Sequence, residues 1–283
     1  FQTLTVGLNA QPCLLRSGLI VRSQAPLKRV RASKPHREER HDENGPSWVW
    51  GVHAGLAALA NPNRRIDKLV ATRNAAARLP EGGLPDGIEP QILDPAAMDG
   101  MLPPGAVHQG LAVRAWPLAP LSLEAAAFPL DGRPVLVLDG VTDPQNIGAI
   151  FRSAAAFGAR AVVLQDRKSP PFTGALAKAA AGAIELVPHV RAVNLSRVLE
   201  ELAKRGYATI ALEGEADLSL GEAVAAATGP IALAIGAEGK GLRDGVAAAC
   251  ETRARIPIAQ AVESLNVSVA TAIALYEASR RPG

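Results

Sequence analysis

Cysteine and aromatic residues are scarce in this chain. Cys13 and Cys250 are its only cysteines, and aromatics make up 4% of 283 residues. Two cysteines so far apart form neither a C-x-x-C redox pair nor a zinc motif, and they argue against a disulfide framework. Such usage fits a reducing compartment, so a cytoplasmic location is expected. None of the five histidines stands at metal-ligand spacing from another; His36 and His41 fall near the amino terminus and His189 sits beside Pro188. No nucleophile elbow of the G-x-S-x-G kind occurs. Neither a metal nor covalent catalysis is expected. No apolar run reaches the roughly 20 residues that span a bilayer, so no membrane partner is expected either.

Charge is present but unevenly placed. The net charge is +3, yet residues 1–47 hold 8 Lys/Arg against 4 Asp/Glu, while the rest of the chain holds 22 against 23. The basicity therefore belongs to the first 47 residues, which show no helical or strand period and are expected to be disordered. No acidic residue precedes Glu38, and the first residue is Phe1. A basic arm of this kind suits a nucleic-acid partner. A solubilising tail, an organellar transit peptide or a mis-called start are the alternatives.

After the tail, Trp48–Gly51, Ile66–Ala71, Gln91–Leu93 and Ala106–Trp116 read as strands, with helices at His53–Leu59 and Arg73–Leu79. They outline a small α/β domain over 48–117. A proline-rich linker with one short helical piece follows over 118–134. From 135 to 283, short apolar runs alternate with helical stretches. The runs are Val135–Leu138, Ala161–Leu164, Ile184–Val187, Ala208–Leu212, Ile231–Ile235 and Arg253–Ile258. Unbroken apolar strands of this length are covered on both faces, which implies an α/β fold with a mostly parallel sheet. A last helix is expected over Leu265–Arg280, with Val269, Ile273 and Tyr276 along one stripe.

Three polar turns stand out. Gly236-Ala237-Glu238-Gly239-Lys240-Gly241-Leu242 follows a strand. It is not a phosphate-binding P-loop, because Gly241 follows Lys240 and Ala234 holds the first glycine position. A carboxylate inside the turn, Glu238, would repel phosphate but accept hydrogen bonds from a neutral or cationic ligand. The same glycines would also serve a plain tight turn. Asp143-Pro144-Gln145-Asn146 opens a helix that carries Arg152 and ends at Gly158; Asn146 is a good N-cap, and a capped helix with a surface arginine would look the same. Ser264-Leu265-Asn266, after Ile256-Pro257, opens the last helix with Ser264 as a reasonable cap. Backbone-rich corners at neighbouring strand ends suit a purine nucleoside, since ligands of open α/β sheets bind there.

In this order, the Asn146–Arg152 pair, the Gly-Glu-Gly loop and the Ser-Leu-Asn turn resemble the SpoU (TrmH-like) branch of the SPOUT RNA 2′-O-methyltransferases, over roughly residues 48–281. The resemblance implies that Arg152 acts on the ribose 2′-hydroxyl, with Asn146, Glu238, Ser264 and Asn266 as the other polar site residues. It implies S-adenosyl-L-methionine held by backbone around Gly236, Ile256 and Leu265. A carboxy-terminal trefoil knot and a homodimer with its site at the interface come with the family. A guanidinium is a poor base at neutral pH, so orienting the ribose and stabilising the forming alkoxide are the roles expected of Arg152.

Trp50-Gly51-Val52-His53-Ala54 and Val107-His108-Gln109-Gly110 resemble the small L30e-like substrate-binding domain of the 23S rRNA guanosine 2′-O-methyltransferases, and Arg64, Arg65, Lys68 and Arg73 are candidate phosphate contacts. Gln260 stands where the family usually has glycine. A tRNA substrate, or a non-catalytic RNA-binding or ribosome-assembly role on the same fold, are the competing readings. The intact Asn146, Arg152, Glu238 and Asn266 set favours an enzyme.

Overall fold

The computed structural model describes residues 45–280 apart from 81–83, Pro129, Pro171, Thr173 and 260–262. Most of the basic tail, and Gln260, therefore lie outside the described residues.

Two sheets organise the chain. The smaller has the order β1-β4-β2-β3, from β1 (Ser47–Trp50), β2 (Ile66–Ala71), β3 (Pro90–Ile92) and β4 (Leu111–Ala115). Strand β4 runs antiparallel to both neighbours, and β2 and β3 are parallel. Helix α1 (Val52–Ala60) sets Val52 and Leu59 against Leu69, Leu111 and Val113 of the sheet. Strand β4 is shorter than its apolar run suggests, because Gln109 at φ 52° and Gly110 at φ 83° turn the chain out of extended geometry just before it. Helix α2 (Arg73–Ala76), capped by Thr72, ends before Leu79, and a short α3 (Pro95–Asp99) was not evident from the sequence pattern.

The larger sheet is entirely parallel, in the order β7-β6-β5-β10-β8-β11-β9. Its strands are β5 (Val135–Asp139), β6 (Ala161–Gln165), β7 (His189–Ala192), β8 (Ala208–Leu212), β9 (Leu218–Ser219), β10 (Ile231–Gly236) and β11 (Thr252–Arg255). Side chains alternate between its faces. Leu136, Leu138, Val162, Leu164, Leu233 and Ile235 enter one core, under α5 (Pro144–Ala156), α6 (Gly174–Ala180), α8 (Leu220–Ala226) and α10 (Val267–Ser279). Val135, Val137, Ala161, Val163, Ala232 and Ala234 enter the other, under α4 (Leu123–Ala127), α7 (Leu195–Lys204) and α9 (Asp244–Ala247). Both faces are thus covered, which is why these strands read as continuous apolar runs.

Several local expectations are corrected. Ile184–Val187 is not a strand: Ala183–Glu185 forms a 3-10 turn, and the strand is the more polar β7. Ile184 and Val187 are buried three residues apart while Leu186 is 72% exposed, the spacing of a helical turn. Strand β11 stops at Arg255, ahead of Ile256-Pro257, rather than reaching Ile258. Helix α10 starts at Val267 rather than Leu265. Its core face is Thr271, Ala274, Leu275 and Ala278, so the Val269, Ile273 and Tyr276 stripe points to solvent. Arg64 is no phosphate contact, since it is buried against Glu185, and Arg65 lies over the Trp116 ring at 4.6 Å. Cys250 is partly buried, which pushes its thiol up to about 12 and leaves it inert. No described helix is long and apolar enough to cross a membrane.

Candidate active site

The polar turns lie at the carboxyl ends of β5 and β10 and at the start of α10. Asp143, rather than Asn146, caps α5: its carboxylate accepts from Gln145 N at 3.2 Å and Asn146 N at 3.1 Å, with Pro144 in the first turn. The Asn146 side chain is thereby released. Its Oδ1 accepts from Asn266 Nδ2 at 3.0 Å, and Asn266 Nδ2 also lies 3.4 Å from Glu238 Oε2. Residues 120 and 28 positions apart in the chain thus meet at one point.

Asn266 is the residue that orders this group. It caps α10, with Oδ1 accepting from Ser268 N at 2.9 Å and from Ser268 Oγ at 2.6 Å. Since Oδ1 must face those donors, the amide Nδ2 must face Asn146 and Glu238. Asn146 in turn spends Oδ1 on Asn266, leaving its own Nδ2 hydrogens without a side-chain partner among the described residues. The cluster offers a free amide donor beside a carboxylate.

Glu238 is placed by a loop that folds back on itself. Gly241 N donates to Ala237 O at 2.9 Å, and Ala237 and Gly241 form an isolated antiparallel bridge. Gly239 and Gly241 take φ 75° and 64°, which other residues adopt at a cost. A Cβ on Gly236 would lie 2.0 Å from Gly241 C and 2.2 Å from Leu242 N, so the loop closes only over glycine.

Arg152 projects from the exposed face of α5, opposite buried Phe151 and Ala154, and makes no ion pair or hydrogen bond to the described residues. Its charge is therefore available to a ligand. Ser264 is exposed and is not the cap of α10, because Asn266 takes that place. Leu265 and Ile256 are partly buried, and Ile256 packs with Ile235, Leu212 and Val267 in one apolar cluster. That cluster draws the ends of β8, β10 and β11 to the start of α10.

Residues 133–276 match the profile of the SpoU rRNA Methylase family. The chain belongs to that family. Among curated relatives, the 23S rRNA (guanosine-2′-O-)-methyltransferase RlmB of Pseudomonas putida is 36% identical over 250 residues, covering 82% of this chain and 96% of that protein. The protein of the same description from Ralstonia nicotianae is 45% identical over 176 residues, 62% of this chain and 70% of its own. Among solved structures, the AdoMet-bound rRNA methyltransferase from Sinorhizobium meliloti superposes with a TM-score of 0.69 at 25% identity, covering 84% of this chain and 88% of that one.

Two further features of this SpoU-family site escaped the sequence reading. The first is an open groove of about 690 Å³, lined by residues 212–218, 240–242 and Arg253. Glu213, Glu215 and Asp217 make its loop acidic, and Arg255 shapes that loop by donating to the carbonyls of Ala216 and Asp217. Acidic residues crowded directly after the apolar run of β8 were the available signal. Gly236, Ile256 and Leu265 are not part of the groove lining, whereas Lys240 and Gly241 of the same glycine loop are.

The second is Asp139, whose side chain is 1% exposed at the end of β5. It accepts from Arg243 Nε at 2.8 Å and from Arg243 N at 3.0 Å, pinning the exit of the 236–242 loop. Asp139→Ala is expected to destabilise the protein by roughly 1–3 kcal/mol, the scale of losing charged hydrogen bonds when one partner is half in solvent. Urea denaturation measures this, and an unchanged midpoint would show that the pair does not hold the loop.

Proposed function

We propose that this protein transfers a methyl group from S-adenosyl-L-methionine to the 2′-hydroxyl of a guanosine in 23S rRNA. The observation that carries the reading is the convergence of Asn146, Glu238 and Asn266 at the start of the helix that also carries the exposed Arg152, unpaired among the described residues. The names of the RlmB relatives supply the substrate class. The neighbouring groove of about 690 Å³, which Lys240 and Gly241 of the glycine loop line but Gly236, Ile256 and Leu265 do not, falls within the range of about 300–1,000 Å³ usual for small-molecule sites.

S-adenosyl-L-methionine, when bound, supplies an electrophilic methyl on a cationic sulfur that leaves as a neutral thioether. Gly236, Ile256 and Leu265 offer it backbone and apolar contact, and Glu215 and Asp217 of the nearby loop favour its positive charge, Glu213 being paired with Arg253 at 3.4 Å. Arg152 orients the ribose and its phosphate and stabilises negative charge as it grows on the 2′-oxygen, whose proton passes to solvent water as the methyl–oxygen bond forms and the methyl–sulfur bond breaks. Asn146 and Asn266, held by one another, fix the reacting corner, with Glu238 and Ser264 completing its polar edge. Most of the rate comes from alignment of the hydroxyl.

In this reading residues 1–47 are a basic RNA-attracting arm, 48–117 an L30e-like domain that binds rRNA, and 118–134 a linker. Residues 135–283 are the SPOUT domain, with a trefoil knot where α10 returns beside α5 and β10. The enzyme works in the cytoplasm as a homodimer. The solvent-facing stripe of α10 supports the dimer, since Val269, Ile273 and Tyr276 are 47%, 39% and 49% exposed. A contiguous apolar stripe on a helix is an interface signal. Ile273→Asp is expected to yield a monomer in sedimentation and to lose methyl transfer; a dimer of full activity would place the interface elsewhere. The function itself is tested by offering the purified protein labelled S-adenosyl-L-methionine with separated rRNA and tRNA. Label in 23S rRNA supports the reading, and label in tRNA alone overturns the substrate.

A further inference from the structure

The four-stranded unit docks on the back of the active-site helix of its own chain. Helix α6 lies between β1 and α5, and the 3-10 turn at Ala183–Glu185 packs on both α1 and α5. The approach is close. A Cβ on Gly174 would stand 1.9 Å from Cζ3 of Trp50 and 2.2 Å from the Trp48 carbonyl oxygen. At the far rim, Lys178 Nζ donates to Val107 O at 2.9 Å.

At the centre of this dock is a pair of buried charges. Arg64 Nε lies 3.6 Å from Glu185 Oε1, and the two side chains are 0% and 2% exposed. Asn61, at the end of α1, donates from Nδ2 to Glu185 Oε2 at 2.8 Å. The three guanidinium nitrogens of Arg64 and Oε1 of Glu185 have no hydrogen-bond partner among the described residues. Burial pushes the Glu185 carboxyl up and the Arg64 guanidinium down, in each case against the pull of the other charge. Desolvation therefore outweighs attraction on both sides. Such a pair adds little to stability over apolar residues of the same size, but removing one member leaves an uncompensated buried charge. The position of charge here rewards one relative placement of the two units and penalises others.

We infer that Arg64 and Glu185, ordered by Asn61, are positioning residues that register the four-stranded domain against α5, so that rRNA held by that domain meets Arg152 at one fixed offset. The pair touches neither RNA nor cofactor in this account. The link to substrate rests on the proposed rRNA methylation.

The test is a double-mutant cycle on the full chain with Arg64→Met, Glu185→Met and the double variant Arg64→Met/Glu185→Met. Each is read by KM for 23S rRNA, kcat, S-adenosyl-L-methionine affinity, and the rate of protease cleavage in the exposed connection at 117–120. Each single substitution is expected to raise KM and speed cleavage by about tenfold or more, while kcat and cofactor affinity stay within about twofold. Because an apolar pair carries no stranded charge, the double variant should be less impaired than either single one. The proposal is overturned if the singles leave KM and cleavage unchanged, or if the double effect is the product of the singles. It is also overturned if cofactor affinity falls with KM in all three, since that marks general loss of the fold. Cleavage needs no RNA. A wild-type protein that methylates no rRNA, with single variants that still open the connection, would refute the proposed substrate and leave the positioning pair standing.

Discussion

Arg152→Ala is expected to slow methyl transfer by about 10²–10³-fold, the usual loss when one preorganised donor to a developing oxyanion is removed. The side chain stands on the solvent face of α5, and none of the described hydrogen bonds or ion pairs depends on it. Its removal should leave the melting temperature and S-adenosyl-L-methionine affinity unchanged. The helix beneath it is held by buried Ile147, Ile150, Phe151 and Ala154, which the substitution does not touch. Single-turnover kinetics with saturating RNA separates chemistry from binding. A variant that keeps more than about a tenth of the wild-type rate, a barrier change under roughly 1.4 kcal/mol, would remove Arg152 from the chemical step.

Gly236→Val should weaken S-adenosyl-L-methionine binding by at least about a hundredfold, or roughly 2.7 kcal/mol. The clash it creates is with backbone: Gly241 C at 2.0 Å and Leu242 N at 2.2 Å from the new Cβ. Neither atom can easily yield. Leu242 is buried in the core on the α7 and α9 side, and the next residue, Arg243, is tied to Asp139. The 236–242 loop would have to open, taking Glu238 and Lys240 with it. A side chain here would also block close approach of a cofactor to the backbone, but collapse of the loop is the stronger effect. Calorimetry measures the affinity, and circular dichroism checks that the sheet persists. Undiminished binding by a folded variant would put the cofactor away from this loop.

The parallel sheet was legible because its strands are buried on both faces: Val135–Leu138, Ala161–Leu164 and Ile231–Ile235 are apolar at every position. Strand β7 was not, because His189 and Arg191 interrupt its apolar pattern, and its neighbour Ile184–Val187 imitates a strand while forming a turn. Burial pushes the His189 imidazole down to about 4, so it sits neutral in the sheet, a state that side-chain identity alone does not reveal. The α10 stripe was visible as periodicity, but periodicity cannot say whether a stripe faces its own core or solvent.

The site was legible at the level of residue types and less so in its wiring. Asn146, Glu238 and Asn266 were singled out, and they meet. The caps were misassigned, since Asp143 and Asn266 outcompete Asn146 and Ser264 for the helix amides. Arg64 looked like a surface cation because nothing near it in sequence announces Glu185, a partner 121 positions away. Long-range pairings of this kind depend on tertiary contacts that one-dimensional patterns do not carry. The same holds for Asp139 with Arg243.

The central claim is methyl transfer to a ribose oxygen of rRNA guanosine. It is tested most directly by mass spectrometry of nucleosides from 23S rRNA incubated with the purified protein and isotopically labelled S-adenosyl-L-methionine. The account predicts that the label appears as 2′-O-methylguanosine, in the wild type and not in Arg152→Ala. Label on a base, or label that persists at the wild-type level without Arg152, would contradict it.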